Sequence, residues 1–553
     1  TMEGFGAAIA WYDNWLTAHP NKRDIYKLIF GDLNLDILRL RNVYGYSEYS
    51  LDDDKEIVQQ AGASLGHPID ILLSSWSPPA NLKKDNVAHG GTLLKSNGQF
   101  VYADFAQWWY DSIKAYTDAG MTPTYISMQN EPDYENSGWE TCIFKSAETA
   151  DYPGYGTALD AVYDKLEGLA SRPRIVGAEV AGLGYNDFQN YVGNLDKAHL
   201  DAYAYHLYSG GDAGNPDSFS PTLTPIKDSY GDKPNMMTEY SGGSGNWFTM
   251  AWLIQNCLTE ADASAYLYWN LVWGDSGGMV TLENPWSPSA WTTADGYKIN
   301  GDYYAIKHFS KYISKGYVRI GASSDNGNLR TSAFLSPDGG KLTIVVLNVA
   351  TTADTAAFAF TGFSAASVLG WQSVDNNFYQ SLSALTLTGS IPLPAKSVTT
   401  LQYSKSTGGT PVTGVSVTPA QVALTGLETT HLTATIAPAT ATNTAVAWTS
   451  SDPGIATVSP AGLVSAVADG TATITATTQD GGYTAVCKVT IAATGNQATP
   501  CSSPTSAALP LKIDGAGDFC RVTSGDITNI NSWNMQVVEI NGEDGGWRIH
   551  GHQ

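Results

Sequence analysis

The sequence predicts a (β/α)8 (TIM) barrel with an attached side β-sandwich, followed by an all-β module and a partial β tail. Three observations predict it. Strand-like and helix-like segments alternate about eight times over the first 310 or so residues. After Ile313 the helical spacing stops, and Gly316–Tyr403 alternates with period two, rich in Thr, Val, Ala and Ser. Stretches of Ser, Thr, Gly and Pro then bracket Val412–Thr494, which is strand-like throughout. The expected boundaries are a barrel over 1–314, a side β-domain over 315–404, a linker over 405–411, a β module over 412–494 and a tail over 495–553.

Taken in order, Gly4-Phe5-Gly6-Ala7-Ala8 reads as a strand end opening into a loop. A helical segment near Arg23–Phe30 precedes a strand within Asn34–Asn42, where Arg39 and Arg41 share one face by alternation. Ile69–Trp76 is the next strand, stopped by Ser77-Pro78-Pro79. Tyr102–Ala119 has helical spacing, and its Phe105, Trp108, Trp109, Ile113 and Tyr116 read as a packing stripe. After the strand from Thr124 come a helix over Thr157–Ala170 and a strand over Arg174–Val180, ending near Glu179. Leu200–Tyr208 alternates and carries His206 and Tyr208 near its end. Pro234–Tyr240 is a short apolar strand, Trp247–Glu260 a helix and Ala265–Trp273 the last strand. Glu131 then ends the fourth strand, Glu239 ends the seventh, and Trp269 lies in the eighth.

Two of these strand ends carry chemistry. Thr124–Pro132 runs into Asn130-Glu131-Pro132, and Pro132 has no N–H to offer a ladder, so the strand stops beside a carboxylate and an amide. Pro234–Tyr240 likewise delivers Glu239 before Ser241-Gly242-Gly243 breaks the structure. A lone glutamate at a strand end is usually just solvated. Two of them at the same end of one βα array are what a retaining glycoside hydrolase needs, one as acid/base and one as nucleophile.

Composition narrows the partners. Asp and Glu outnumber Lys and Arg 53 to 30, a net charge of −23 without a basic run, so nucleic acid and anionic membranes are disfavoured. No apolar stretch reaches the length of a membrane span, and no charged-then-apolar leader opens the chain, which reads as a mature, secreted or cell-surface form. The 16 Trp and 30 Tyr suit stacking on sugar faces as well as packing. Cys142, Cys257 and Cys487 read as buried thiols, and Cys501 and Cys520 are near enough in sequence to pair. No CxxC or HExxH occurs and the nine His are scattered, so neither metal nor cofactor is expected. A monomer is expected.

Gly4-Phe5-Gly6, Ile37-Leu38-Arg39, Ser75-Trp76-Ser77-Pro78-Pro79, Gln129-Asn130-Glu131-Pro132, Thr238-Glu239 and Tyr268-Trp269-Asn270 occur in that order. Together they resemble glycoside hydrolase family 30, a clan A family, over roughly residues 2–404. Val412–Thr494, with Trp448-Thr-Ser-Ser-Asp-Pro and Val467-Ala-Asp-Gly-Thr-Ala, resembles a bacterial Ig-like domain of group 2. The family resemblance implies Glu131 as acid/base and Glu239 as nucleophile. It also implies Asn130 on the sugar 2-hydroxyl, Arg39 beside Glu239 keeping its pKa low, Tyr208 or His206 approaching the same carboxylate, and Trp76 and Trp269 walling the cleavage subsite. Tyr240 is a further candidate substrate-binding residue.

Two departures shape the expected substrate. Glucuronoxylan-specific members carry an arginine just after the eighth strand, where this chain reads Leu271-Val272-Trp273-Gly274-Asp275-Ser276-Gly277-Gly278. Asn81 stands where an aromatic is common. The resemblance therefore implies a retaining endo-β-1,4-xylanase that does not require glucuronate branches. Within the enzyme class the alternatives are a glucuronoxylanase, an exo-acting xylobiohydrolase or a hydrolase of another β-linked glucan. From a different class, a non-catalytic glycan-binding or adhesion protein would suit the Ig-like module and the tail, itself a candidate carbohydrate-binding module, but has no use for a protonatable pair.

Overall fold

The computed structural model describes residues 1–492 except 243–245, 384, 388, 407–409, 411 and 427, and the backbone of 536–540 and 547–550. Two compact units result, Thr1–Gly408 and Gly409–Gln553. Cys501 and Cys520 lie outside the described residues, whereas Cys142, Cys257 and Cys487 are free and buried.

The first unit is built on eight parallel strands closed into a barrel: β1 (Gly4–Ile9), β2 (Ile37–Arg41), β3 (Asp70–Ser74), β4 (Tyr125–Ser127), β5 (Arg174–Val180), β6 (Ala202–His206), β7 (Asn235–Tyr240) and β8 (Ala263–Tyr268). Each pairs with its neighbours in sequence, and β8 closes on β1 with Gly4 opposite Ala265. Ile37, Leu72, Tyr125, Val176, Met236 and Leu267 fill the barrel interior. The helices outside are the short α1 (Asp13–Ala18) and α2 (Lys22–Tyr26), then α3 (Asp52–Leu65), α4 (Tyr102–Asp118), α5 (Tyr155–Leu166), α6 (Asp187–Val192), α7 (Ser220–Ser229), α8 (Trp247–Glu260) and α9 (Gly301–Ser310).

The aromatic stripe of α4 packs as its spacing predicts, and its polar tips pin the loops above the barrel. Trp109 Nε1 donates to the Met128 carbonyl at 3.2 Å and Tyr116 Oη to the Arg41 carbonyl at 2.8 Å. Helix α8 starts where its cap dictates. Asn246 Oδ1 accepts from the N–H groups of Phe248 and Thr249, while Thr249 Oγ1 accepts from the Asn246 N–H, a reciprocal capping box.

Three sequence readings need correction. The helix expected over Thr157–Ala170 runs from Tyr155 to Leu166, because the chain turns at Gly168, where the Leu169 N–H goes to Leu166 O. The strand expected over Ala265–Trp273 is two elements. β8 ends at Tyr268, Trp269 therefore lies just beyond the eighth strand, and β9 (Val272–Gly274) joins β10 (Val280–Leu282) and β11 (Tyr297–Ile299) in a separate three-stranded sheet. Alternation along a chain does not reveal a change of pairing partner. Glu131 does not end β4 but stands four residues beyond Ser127.

The side domain is an antiparallel sheet ordered β12 (Val318–Ile320), β13 (Leu329–Leu335), β14 (Lys341–Asn348), β19 (Ser397–Lys405), β16 (Ala365–Val374), β17 (Asn377–Ser381). A two-stranded ribbon of β15 (Asp354–Ala356) and β18 (Ile391–Leu393) completes it. Phe334, Val345, Leu347 and Val398 join the same apolar core as the barrel helices. Polar pairs run along the join: His308 Nδ1 to Thr400 Oγ1 at 2.9 Å, His308 Nε2 to Ser373 Oγ at 2.7 Å and Ser332 Oγ to Gln255 Oε1 at 2.7 Å.

The second unit begins with an Ig-like β fold. Its four-stranded sheet is ordered Gln421–Thr425, Thr484–Ala492, Gly470–Thr478, Val446–Ser450. Period-two burial places Ile474, Cys487, Val489 and Ile491 inside. In the tail, Gln536–Ile540 pairs antiparallel with Trp547–His550.

Candidate active site

The ends of six barrel strands place their side chains in one cluster. Arg39, on β2, is fully buried and divides its guanidinium among the ends of four other strands. Nη1 meets Glu239 Oε2 at 2.5 Å, Nη2 donates to Asn130 Oδ1 at 2.6 Å and lies 3.1 Å from Glu179 Oε1, and Nε donates to Ser74 Oγ at 3.0 Å. Asn130 thus has its carbonyl occupied and keeps its amide N–H groups for a ligand. Tyr208 Oη donates to the other Glu239 oxygen at 2.9 Å.

Glu131 is held differently. Its φ of 45° lies in the left-handed region, which a non-glycine residue adopts at a cost. The Glu131 N–H donates to the Glu179 carbonyl at 2.9 Å, the preceding Asn130 N–H donates to Ser75 O at 2.7 Å, and Pro132 follows. His206 Nδ1 sits 3.0 Å from Glu131 Oε1, while its Nε2 faces Glu179 at 3.7 Å and Glu239 at 4.0 Å. One donor atom each of Glu131, His206 and Glu239 lie within 4.8 Å of one another. That spacing would suit a cation, but Arg39 already places a permanent positive charge against Glu239 and Glu179.

The charges explain the protonation behaviour. Burial opposes ionisation of Glu179, but Arg39 and then His206 outweigh it and hold the carboxyl down at about 2. Burial also opposes a charged His206, yet Glu239, Glu131 and Glu179 lift it to about 9. For Glu239 the sequence expectation of a lowered pKa is corrected. His206 and Arg39 do pull it down, but burial, with the Glu131 charge beside it, pushes it above the ordinary glutamate value.

Aromatic rings wall the cluster. Trp76, after β3, and Trp269, after β8, have ring centroids 5.5 Å apart, with Trp11 edge-on to both at 5.4 and 5.6 Å. Trp273 continues the wall 6.2 Å from Trp269. Tyr240 does not line it. Strand alternation turns it away from Glu239, and it packs behind Tyr208 against Phe219, 5% exposed. His206 is likewise fully buried, so it orients carboxylates rather than lining the cleft. Glu179 and Trp11 were missed as site residues. A glutamate ending the apolar strand Arg174–Val180, and a Trp-Tyr pair directly after β1, were the available signals.

Residues 316–401 match the glycosyl hydrolase family 30 beta sandwich domain, and 411–489 the bacterial Ig-like domain of group 2. The barrel with its sandwich superposes on the family 30 subfamily 8 xylanase Xyn30A from Clostridium acetobutylicum, with a TM-score of 0.57 and 23% identity, covering 73% of this chain and 96% of that one. This is the family 30 fold. The same unit also superposes on the xylanase C catalytic domain from Talaromyces cellulolyticus (TM-score 0.59, 21% identity, 73% and 97% covered). In sequence the chain is 25% identical to glucuronoxylanase XynC of Bacillus subtilis (strain 168), covering 63% of this chain and 77% of the relative. It is 27% identical to endo-1,6-beta-D-glucanase BGN16.3 of Trichoderma harzianum, covering 51% of this chain and 59% of the relative. Residues 504–547 match carbohydrate-binding module 64. A glycoside hydrolase acting on polysaccharide is the common content of these likenesses. Among the described residues no helix is long and apolar enough to cross a membrane.

Proposed function

We propose that the protein is a retaining endo-β-1,4-xylanase that cuts xylan without needing a glucuronate branch. The observation that carries this reading is the Glu131–Glu239 pair, with an oxygen of each within 4.8 Å. Retaining enzymes hold their carboxyls about 5–5.5 Å apart and inverting ones about 6.5–9.5 Å, because only the latter leave room for water between acid and base. Glu239, fixed by Arg39 and Tyr208, attacks the anomeric carbon. The glycosidic C–O bond breaks as its oxygen takes the proton of Glu131, and a glycosyl ester of Glu239 forms. Water then attacks the same carbon, giving its proton to Glu131 and releasing the sugar with its original configuration. The free Asn130 amide donates to the 2-hydroxyl, and the rings of Trp76 and Trp269 flank the sugar being cut.

Branch independence is supported by the residues after β8. Val272 is buried, Trp273 is tilted against Trp269 in the wall and Asp275 is exposed, and none of the three offers a carboxylate a cation. Arg41, a second guanidinium nearby, is spent on Glu140 at 2.9 Å and lies between the rings of Trp11 and Tyr49. The Ig-like and carbohydrate-binding matches support an extracellular, glycan-directed role. Release of reducing ends from plain xylan, lost in Glu239→Gln, with early product anomers read by NMR, tests this reading. A second reading, endo-β-1,6-glucan hydrolysis, is favoured by the similarity to BGN16.3. Release of reducing ends from β-1,6-glucan but not from xylan would select it.

A further inference from the structure

The aromatic wall of the catalytic cluster does not end at Trp273. The ring of Tyr12 lies 4.8 Å from that of Trp273, Trp15 lies 5.0 Å beyond Tyr12, and Trp286 lies 6.1 Å beyond Trp15. Trp269, Trp273, Tyr12 and Trp15 are all partly open to solvent, and Trp286, at the outer end, is 59% exposed. Scattered surface aromatics need no explanation, but a contiguous run that starts at the reacting carboxylates does. Edge-to-face packing joins Tyr12 to Trp15 and Trp15 to Trp286. Such a contact occupies one face of one ring in each pair and leaves the other faces free to stack.

The rings are set in place. Tyr12 holds a φ of 64°, a left-handed conformation that costs a tyrosine energy. Its ring lies against β9 where that strand has Gly274, and a Cβ there would come within 2.1 Å of Tyr12 Cε1. Trp286 belongs to the segment between β10 and β11, which is braced from within. Asn284 Oδ1 accepts from the Trp286 N–H at 2.9 Å, and the Asn284 carbonyl accepts from Trp291 Nε1 at 2.8 Å. The Trp291 ring stacks on His19 at 5.2 Å, and Glu283 accepts from the N–H groups of Thr292 and Thr293 at 2.6 and 3.1 Å. The exposed indole is therefore held out in a fixed place.

The barrel gives the run a direction. In the proposed reaction Glu131 protonates the leaving oxygen, so the departing part of the substrate lies on the Glu131 side. Glu131 follows β4, whereas the rings follow β8, β10 and β1, on the opposite side of the closed barrel. The part of the substrate retained on Glu239 therefore runs over the rings. Asn14 and Asp275, exposed neighbours of Trp15 and Gly274 in sequence, hydrogen-bond hydroxyls, and Asp275 repels an anionic chain. We propose that Tyr12, Trp15 and Trp286 form distal subsites that hold the retained side of a neutral, β-linked pyranose chain several sugars from the bond that is cut. The identity of that chain rests on the xylanase reading.

Aryl β-glycosides test this, because the aryl group fixes the register by taking the leaving-group side. An aryl xylobioside fills only the positions next to the carboxylates, whereas an aryl xylopentaoside reaches toward Trp286. In the full chain, Trp286→Ala should lower kcat/KM for aryl release from the pentaoside by roughly five- to tenfold, carried by KM. Release from the xylobioside and the melting temperature should stay as in the parent, and Trp286→Phe should restore most of the loss. Unchanged kcat/KM on the pentaoside in Trp286→Ala, or equal losses on both glycosides, would overturn the proposal and leave the xylanase reading intact. A parent protein that cleaves neither glycoside would overturn the xylanase reading, and the proposal with it.

Discussion

Two histidines in the interior of the barrel-and-sandwich unit have opposite chemistry. His308, on α9, meets the hydroxyls of Thr400 and Ser373 with its two ring nitrogens, and burial pushes its pKa down to about 3. His206, at the end of β6, is equally buried, but three carboxylates surround it and hold it up at about 9. Around His308 every partner is neutral and paired, and the network joins sandwich to barrel. Around His206 both Glu179 oxygens and His206 Nε2 lack a hydrogen bond of good geometry, although charges face them. Such atoms cost about 1–3 kcal/mol each in a merely structural setting. A satisfied neutral network serves cohesion. A charged one with unspent valence is arranged for a reaction that moves a proton.

The largest expected effect breaks the reactive network at its centre. Glu239→Gln should lower kcat by about 10⁴-fold or more, as removal of a nucleophile does elsewhere. Glu131→Gln should cost less on aryl glycosides, whose leaving groups need no proton, than on xylan. Equal losses for Glu131→Gln on both substrates would show that Glu131 is not the acid.

Next comes Glu179, which touches no substrate in this reading and acts through Arg39 and His206. Glu179→Gln removes one of the carboxylates that hold His206 charged. The alkaline limb of the kcat/KM profile should move to lower pH, with kcat down by roughly ten- to a hundredfold. A purely structural role would change melting without moving that limb. The acid limb in the parent protein should lie above the ordinary glutamate range, because Glu239 is pushed upward by burial.

The contrast between the histidines also predicts opposite slopes of stability with pH. His206 binds its proton more tightly folded than unfolded, so it stabilises fully below about 6.5 and loses that contribution as pH rises through about 9. His308 is held neutral in the fold, so stability falls as pH drops from about 6.5 toward 3 and the unfolded chain takes up a proton. His206→Gln should flatten the alkaline side of a melting-temperature profile, and His308→Gln the acid side. Both variants flattening the same side would contradict this assignment.

How far this contrast could be read from sequence follows from where each partner sits. The eight-fold alternation is visible because each strand and helix carries its own period. Glu131 and Glu239 are visible because Pro132 and Gly242 follow them as strand-breaking residues, although β4 itself already stops at Ser127. Glu179 is not, since its meaning depends on Arg39 from β2 and His206 from β6, which only barrel closure brings to it. The wall contributed by Trp11 is hidden for the same reason. The upward push on Glu239 was missed because its cause, burial beside a second carboxylate, is a property of the assembled cluster and not of the Arg39–Glu239 pair alone.

The smallest expected effect concerns Lys298, a cation that the small sheet brings near Trp273. Trp273 on β9 is in register with Thr281 on β10, which is in register with Lys298 on β11. Lys298 is therefore on the same face of the small sheet as Trp273, two strand spacings or about 10 Å away, and it is exposed. A bidentate guanidinium on a glucuronate would be worth about 1.5–3 kcal/mol, or roughly ten- to a hundredfold in rate. An exposed ammonium forms a single screened pair worth about 0–1 kcal/mol, at most about fivefold. Asp275, exposed on the loop between β9 and β10, opposes even that. Lys298→Ala should therefore change the ratio of rates on glucuronoxylan and plain xylan by less than about fivefold, and products mapped by mass spectrometry should not end at a fixed distance from a branch. Products all ending at one position relative to a glucuronate, with linear xylooligosaccharides left intact, would replace branch independence with recognition. Loss of that pattern in Lys298→Ala would then identify the ammonium as its source.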